Sequence, residues 1–418
     1  MRIRNLFIGS FLFLGLFLSC EDYTEGVNTD PNNFTDTSEE LLIKQAELQL
    51  VESLTGTPPL YAAVFSDQYT GSEFEWETFD NYEVNSREFN GIWADFFAFG
   101  YSQAELARDK ARASGNQVLE GIAEIHMATF MGEAALLFGD VPFEQVNKIG
   151  VYPYPEYDPQ TQVLAGVQEL LEDGIAKVGD AAVNTFYGGE IFIANNALWA
   201  EIGYSLKARY YLAAKQYENA YIAAVQGISS PSGDLLSRHF NTGGARNLFF
   251  SFNIGRPNYI TAVECHLRKL MTGEVDRALS TPGDFNRTFY YFDQDNNLNT
   301  DPGGYFAADA PGYLVTWMET KLIEAEAAAR TGREGLAPFN EVRNYLSGFY
   351  QAPFPPSSAT GQDLIYQILE EKYISLLGQL SVFSDLRRTK NLLGVPIKSV
   401  NAPDIPQRFL YPQDEIDA

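Results

Sequence analysis

Two aromatic- and acid-rich stretches hold the side chains best suited to chemistry. The first contains Asp67-Gln68-Tyr69, then Phe74-Glu75-Trp76-Glu77-Thr78-Phe79-Asp80-Asn81-Tyr82. The second contains Tyr290-Tyr291-Phe292-Asp293, Asn296-Asn297 and Tyr305-Phe306. Exposed aromatic rings stack on the apolar C–H faces of a sugar while Asn, Asp and Gln bond its hydroxyls, and such sites sit on loops. Trp76, with acids on both sides, reads as a binding platform. The candidate ligand contacts are therefore Asp67, Tyr69, Phe74, Trp76, Asn81 and Tyr82 from the first stretch, with Tyr290, Tyr291, Asn297 and Tyr305 from the second. Trp93, Trp199 and Trp317 lie on or at the start of helical patterns and read as core.

Other chemistries find less support. Asp293 to Asn299 has oxygen ligands at calcium-loop spacing, but Leu298 stands where that loop needs Gly and Gly304 where it needs Glu, so it reads as a solvated turn. His126, His239 and His266 are scattered, and His126 falls within a helical pattern. There is no His-Glu-x-x-His, Gly-x-Ser-x-Gly, phosphate-loop or dinucleotide-glycine motif. The chain reads as non-catalytic, with no cofactor and no metal. A net charge of −26, with no basic cluster, disfavours nucleic acid.

Location is written at the N-terminus. Arg2 and Arg4 precede an apolar run from Leu6 to Leu18, followed by Ser19-Cys20. The run is too short to span a bilayer and reads as a signal peptide over residues 1–19. Cys20 directly after it resembles the lipobox of bacterial lipoproteins, in which the cysteine carries acyl chains such as palmitate; Phe17 departs from the commoner Leu. An ordinary secretory signal is the alternative. Glu21-Asp22 resembles an acidic export tag of surface lipoproteins. Residues 20–36 then form a lipidated tether, and 37–418 the folded domain.

The elements that must hold the candidate loops are mainly α. A capping-box pattern at Thr37-Ser38-Glu39-Glu40 opens a helix to about Leu54. Helices follow over Trp93–Ser114, Gln117–Phe138, Gln162–Val178, Asn195–Lys215, Tyr217–Gly227 and Val315–Arg330. In the last of these, Glu319, Glu324 and Glu326 lie opposite the apolar stripe. A final long helix carries Ile365, Leu369, Tyr373, Leu376 and Leu380 on one face. Residues 55–87, 229–259 and 280–312 show no helical period and read as long loops, the last two with a few short strands. The pair 195–215 and 217–227, with alanines at Ala197, Ala208, Ala213, Ala220 and Ala224 at close-packing positions, resembles tetratricopeptide helix pairs.

Five ordered segments resemble the SusD/RagB outer-membrane nutrient-binding lipoproteins, in a divergent SusD-like branch. They are Cys20 with Asn28-Thr29-Asp30-Pro31-Asn32-Asn33; Leu137-Phe138-Gly139-Asp140-Val141-Pro142; Ala208-Arg209-Tyr210-Tyr211-Leu212; Leu322 to Arg330 with Asn340-Glu341-Val342-Arg343; and Asp385-Leu386-Arg387-Arg388-Thr389 with Arg408 to Pro412. On the residues themselves, Asp140 is placed to cap amides, and Arg330, Arg343, Arg387 and Arg388 to tie helices through carboxylates. The resemblance implies a single SusD-like domain of helix pairs that binds oligosaccharide at the cell surface. It also implies a partner, a SusC-like TonB-dependent β-barrel in the outer membrane. Peptide cargo on the same lid, and a surface glycosidase, are the alternatives.

Overall fold

Helix pairs joined by short turns make up most of the described chain, because apolar residues recur at helical spacing and glycines such as Gly115, Gly139, Gly179 and Gly273 stop several of the runs. The computed structural model describes residues 37–418. The signal peptide, Cys20, the tether and the Asn28–Asn33 segment lie outside the described residues. The first half holds α1 (Glu39–Thr55), α2 (Thr57–Phe65), α3 (Glu75–Asp80), α4 (Asn90–Ala94), α5 (Ser102–Ser114), α6 (Gln117–Phe138), α7 (Gln160–Val178), α8 (Trp199–Ala213) and α9 (Tyr217–Ala224). The second adds α10 (Leu248–Gly255), α11 (His266–Thr272), α12 (Asp284–Tyr291), α13 (Trp317–Arg330), α14 (Leu336–Tyr350), α15 (Gly361–Ser375), α16 (Leu380–Arg388) and α17 (Gln413–Asp417).

The pairs stack side by side: α5 on α6, α6 on α7, α7 on α8, α8 on α9, and α13 on α9, α14 and α15. Gly121 of α6 faces Gly174 of α7, and a Cβ at Gly121 would come within 2.7 Å of the Gly174 carbonyl. Backbones this close leave no room for a side chain. Of the expected alanines, Ala208, Ala220 and Ala224 form a small core with Ala223 and with Ile323 and Ala327 of α13, whereas Ala197 lies in the main core and Ala213 is only partly buried against it. Five short strands make two small sheets. β1 (Thr70–Gly71) pairs antiparallel with β4 (Ile260–Thr261), and β2 (Phe192–Ile193), β3 (Leu235–Ser237) and β5 (Tyr313–Val315) form the other. Residues Glu39–Ala418 form one compact unit.

Several expectations are corrected. The segment expected to be a loop over 55–87 contains α2 and α3. Every residue of α2 after Thr57 is buried, so its sequence shows no polar face and no period. The 229–259 and 280–312 loops contain α10 and α12. The expected long C-terminal helix breaks after Ser375, where Gly378 takes φ 69°, and restarts as α16. Glu319 and Glu326 are buried, not outward. Glu319 pairs with Arg209 at 2.6 Å and Glu326 with Arg388 at 2.5 Å.

The four arginines split. Arg343 reaches Glu371 of α15 at 2.7 Å, and Arg388 joins α16 to Glu326 of α13. Arg330 pairs only within α13, with Glu326 at 2.8 Å, and lies over the Tyr217 ring of α9. Among the described residues, Arg387 bonds no carboxylate. It donates to the carbonyls of Leu136 and Gln407 and lies over Phe383, and burial lowers it to about 10. Asp140 Oδ1 accepts from the Gln160 amide at 2.8 Å and so caps α7.

The C-terminal segment closes the N-terminal core. Phe409 is fully buried, its ring 5.0 Å from Phe89 and 5.8 Å from Phe383, and its amide donates to the Leu137 carbonyl.

Candidate ligand-binding site

The two sequence-predicted stretches are brought together, though by their backbones more than by the side chains expected. β1–β4 pairing sets Thr70 opposite Thr261, and the Ser72 amide donates to the Tyr259 carbonyl. The Ala262 amide then donates to the Asn296 carbonyl at 2.7 Å. Residues 259–268 thus join the first stretch to the second. Thr70 Oγ1 donating to Val263 O, and the Leu267 amide to Asp67 O, reinforce the join.

Most of the expected contacts lie inside. Trp76 is 4% exposed, its ring 5.2 Å from Tyr61, 5.3 Å from Phe79 and 5.2 Å from Phe252. The acids beside it are no sign of exposure. In the short helix α3, Trp76 and Phe79 share the inner face at i,i+3 spacing, and Glu75, Glu77 and Thr78 point out. Gly71 permits this, since a Cβ there would overlap the Trp76 carbonyl. Tyr69 is fully buried between Phe249 and Phe306. Asp67 is buried beside Lys398, whose Nζ lies 3.1 Å from it and also reaches Asp80 and the Tyr69 carbonyl. Burial raises Asp67 to about 6 against the pull of Lys398.

The second stretch follows the same rule. Tyr291 and Tyr305 are buried, their hydroxyls donating to the carbonyls of Ile374 and Leu377. Tyr290 is half-buried among rings, and Tyr82 is half-buried against Phe65. Asn297 is spent on its own turn: its amide donates to Asp293 Oδ1 at 2.8 Å, as does that of Asp295. The Asp293 carboxylate is therefore engaged in capping a turn.

Two expected residues do face outward. Asn81 is exposed, with its side-chain amide donating to Glu77 O. Phe74 is 66% exposed, held at φ 52° and tilted against Tyr259 with centroids 4.9 Å apart. A left-handed phenylalanine on the surface is uncommon backbone for a bulky residue.

The open cleft lies further along the joined surface. It encloses about 930 Å³ between α11 and α12. Phe285 and Phe289, one helical turn apart on α12, line it with rings edge-to-face at 5.0 Å. Arg268, Asp276, Thr288 and Asn296 supply the polar lining, and Arg268 Nε donates to Asn296 Oδ1 at 2.6 Å. Sequence reasoning missed the phenylalanine pair. The signal was there: Asp284, Arg287 and Tyr291 recur at i, i+3, i+7 on one face and Phe285 and Phe289 at i,i+4 on another, a pattern visible only once 284–291 is taken as helical.

Beneath the cleft the floor is fixed. Arg277, Arg287 and Arg343 surround Glu371, with Arg287 2.7 Å and Arg343 2.7 Å from it, and Arg277 also engages Glu370 and Asp284. Burial alone would raise Glu371, but the three guanidiniums hold it well below the usual carboxylate range. Such an ion cluster anchors α12 to α15 and leaves its phenylalanines outward.

Comparison with known proteins adds the following. Residues 31–234 match the family model SusD-like_2, described as "Starch-binding associating with outer membrane". No curated protein matches the sequence. A SusD/RagB family protein from Bacteroides thetaiotaomicron has a similar structure at 18% identity, with a TM-score of 0.66 over 91% of this chain and 94% of that one. A chitin-binding protein is similar at 17% identity, TM-score 0.67, over 91% and 93%. A SusD homolog from Bacteroides fragilis is similar at 16% identity, TM-score 0.68, over 91% and 94%. Identities this low speak for shared fold. Among the described residues, no helix is long and apolar enough to cross a membrane.

Proposed function

We propose, from the match of residues 31–234 to the SusD-like_2 family model and from a fold similar to that of SusD/RagB proteins, that this chain is a SusD-like protein, a non-catalytic, carbohydrate-binding protein of the outer-membrane surface. The cleft between α11 and α12 captures glycan, with Phe285 and Phe289 as the stacking platform. Arg268, Asp276 and Asn296 serve the hydroxyls. The captured oligosaccharide passes to a SusC-like TonB-dependent barrel, and Cys20 carries the lipid that holds the protein at the membrane. Phe74 and Tyr259 extend the platform along the joined surface.

The observation that carries this reading is the exposed phenylalanine pair in a roomy, polar-lined cleft: apolar faces in water beside hydrogen-bonding groups are what a sugar ring requires. The wording of the family description and of the chitin-binding neighbour supports the same ligand class. Asp284, on the cleft floor, is committed to Arg277 and to Arg287 at 3.0 Å, which leaves it ill-suited to serve as a catalytic acid.

Soluble protein beginning at Glu21, run in native gels containing a panel of polysaccharides and assayed for released sugar, tests the proposal. Retardation without products is expected. Released sugar would make the protein an enzyme, and absence of retardation throughout would turn attention to peptide cargo. Co-purification of the full chain with a β-barrel tests the transporter.

A further inference from the structure

Residues 141–158 form a loop closed at its base. Val141 and Asp158 exchange backbone hydrogen bonds at 3.2 and 3.0 Å, and Asp158 Oδ2 accepts from the amides of Phe143 and Glu144 at 2.9 Å each. Inside the loop, Gln145 Oε1 accepts from the Glu156 amide at 3.0 Å. Tyr157 stacks on Trp93 with centroids 5.9 Å apart, and its hydroxyl donates to Glu415 of α17. Compact surface loops with joined ends are frequently functional. This one is pinned at both ends and stiffened by Pro153 and Pro155, so its tip is held in place and needs little ordering on binding.

That tip is apolar and stands in water. Ile149 to Pro155 carries no charge. Ile149, Val151 and Tyr154 keep 76%, 72% and 76% of their surfaces exposed. Ile149 and Tyr152 also line a cleft of about 530 Å³ with the half-exposed Leu106 of α5. Carboxylates flank the tip. Glu144 and Glu156 are exposed and Glu415 is half-buried, and among the described residues none of the three forms an ion pair. Glu144 accepts from Gln162 and Glu415 from Tyr157.

Apolar side chains gathered in water mark an interaction site, and the surroundings decide with what. A sugar fits poorly. Ile149 and Val151 offer no ring face, and the cleft's polar groups are spent on one another: Asn147 donates to Glu105 at 2.8 Å and accepts from Ser102 at 2.9 Å, while Arg108 engages Glu105 and Asp109. A lipid surface fits poorly too, because headgroup phosphates would meet the flanking carboxylates. A protein surface with an apolar hollow edged by Lys and Arg satisfies both the tip and its flanks. We propose that the 141–158 loop is the docking contact for such a surface on the receiving β-barrel. The inference rests on the proposed transfer to a barrel and names the part of this chain that meets it.

The full chain, tagged and purified with its barrel from detergent-solubilised outer membranes, tests this against an Ile149→Ser/Val151→Ser double variant. Both positions are exposed, so the variant should melt within a few degrees of wild type. Recovery of the barrel is expected to fall at least about tenfold, the scale of a lost interface anchor, while polysaccharide retardation in native gels stays unchanged. Glu156→Lys, a second variant that leaves the apolar tip intact, is expected to lower recovery as well. Undiminished recovery in both variants would overturn the docking contact and leave transfer standing, whereas a wild type that brings down no barrel would overturn both. Loss of polysaccharide retardation in the double variant would assign the loop to glycan. Binding of wild type but not the double variant to phosphatidylcholine vesicles would assign it to lipid. Either result would overturn the proposal.

Discussion

Phe285 and Phe289 keep 68% and 48% of their surfaces in water, while Tyr291 on the same helix is buried. Truncating an exposed ring has little effect on folding, so Phe289→Ala should weaken polysaccharide retardation by up to about tenfold, the scale of ~0.5–1.5 kcal/mol per stacked ring. Its melting temperature should stay within a few degrees of wild type. Trp76→Ala should behave in the opposite way, losing ~3–5 kcal/mol in urea denaturation because it empties a buried aromatic cluster. Asp234 gives a pH signature. Burial raises it to about 7 from the usual 3.8, countered only by the Trp317 amide. A carboxyl raised on folding contributes full stability below about pH 4 and loses it as pH rises through about 7. Asp234→Asn should therefore be near-neutral at pH 4 and more stable than wild type by up to ~4 kcal/mol at pH 8, measured by urea melts. At this scale the sequence was a poor guide. Residue type marks a ring as able to stack, but Trp76, Tyr69 and Tyr305 differ from Phe289 only in which way a helix or turn points them. That direction is set by three-dimensional packing.

At the scale of elements, α12 shows how a site is made from two faces of one helix. Its inner face inserts Arg287 and Tyr291 beneath α15, and its other face offers the phenylalanine pair to the cleft. Glu371 is the shared partner of the inner arginines. Glu371→Gln, which leaves Arg277, Arg287 and Arg343 buried with too little negative charge, should cost ~3–5 kcal/mol in urea denaturation and lower glycan affinity along with it. α7, with its clear apolar stripe, was legible from periodicity within a few residues, and α6, buried on nearly every side, from its length and the Gly139 stop. α2 was hidden by being apolar on every side, and α12 by its brevity among Asn, Gly and Tyr. The ion-paired faces misled as well: Glu319 and Glu326 look like a solvent face, and their cationic partners, Arg209 at 110 positions from Glu319 and Arg388 with Lys372 beside Glu326, make burial tolerable.

Across the whole molecule, the surplus of 26 negative charges surrounds a cleft whose proposed ligand carries none. Retardation by a neutral polysaccharide should then hold steady as salt is raised to ~0.5 M, whereas anionic polysaccharides should bind poorly at low salt and gain as screening increases, since the Debye length contracts to a few ångströms. The burial of Phe409 against Phe89, Phe65 and Phe383, together with Lys398 holding Asp67 and the Tyr69 carbonyl, places residues 398–409 inside a core that residues 65–89 begin more than 300 positions earlier. Folding of this chain is therefore ordered in time. The helices before residue 140 can collapse early, as domains generally do during synthesis, but their core stays unfilled until residues 398–409 arrive. A nascent chain stalled short of Lys398 should remain open to protease, and one extended far enough to free Phe409 should gain resistance in a single step, measured by limited proteolysis of stalled chains.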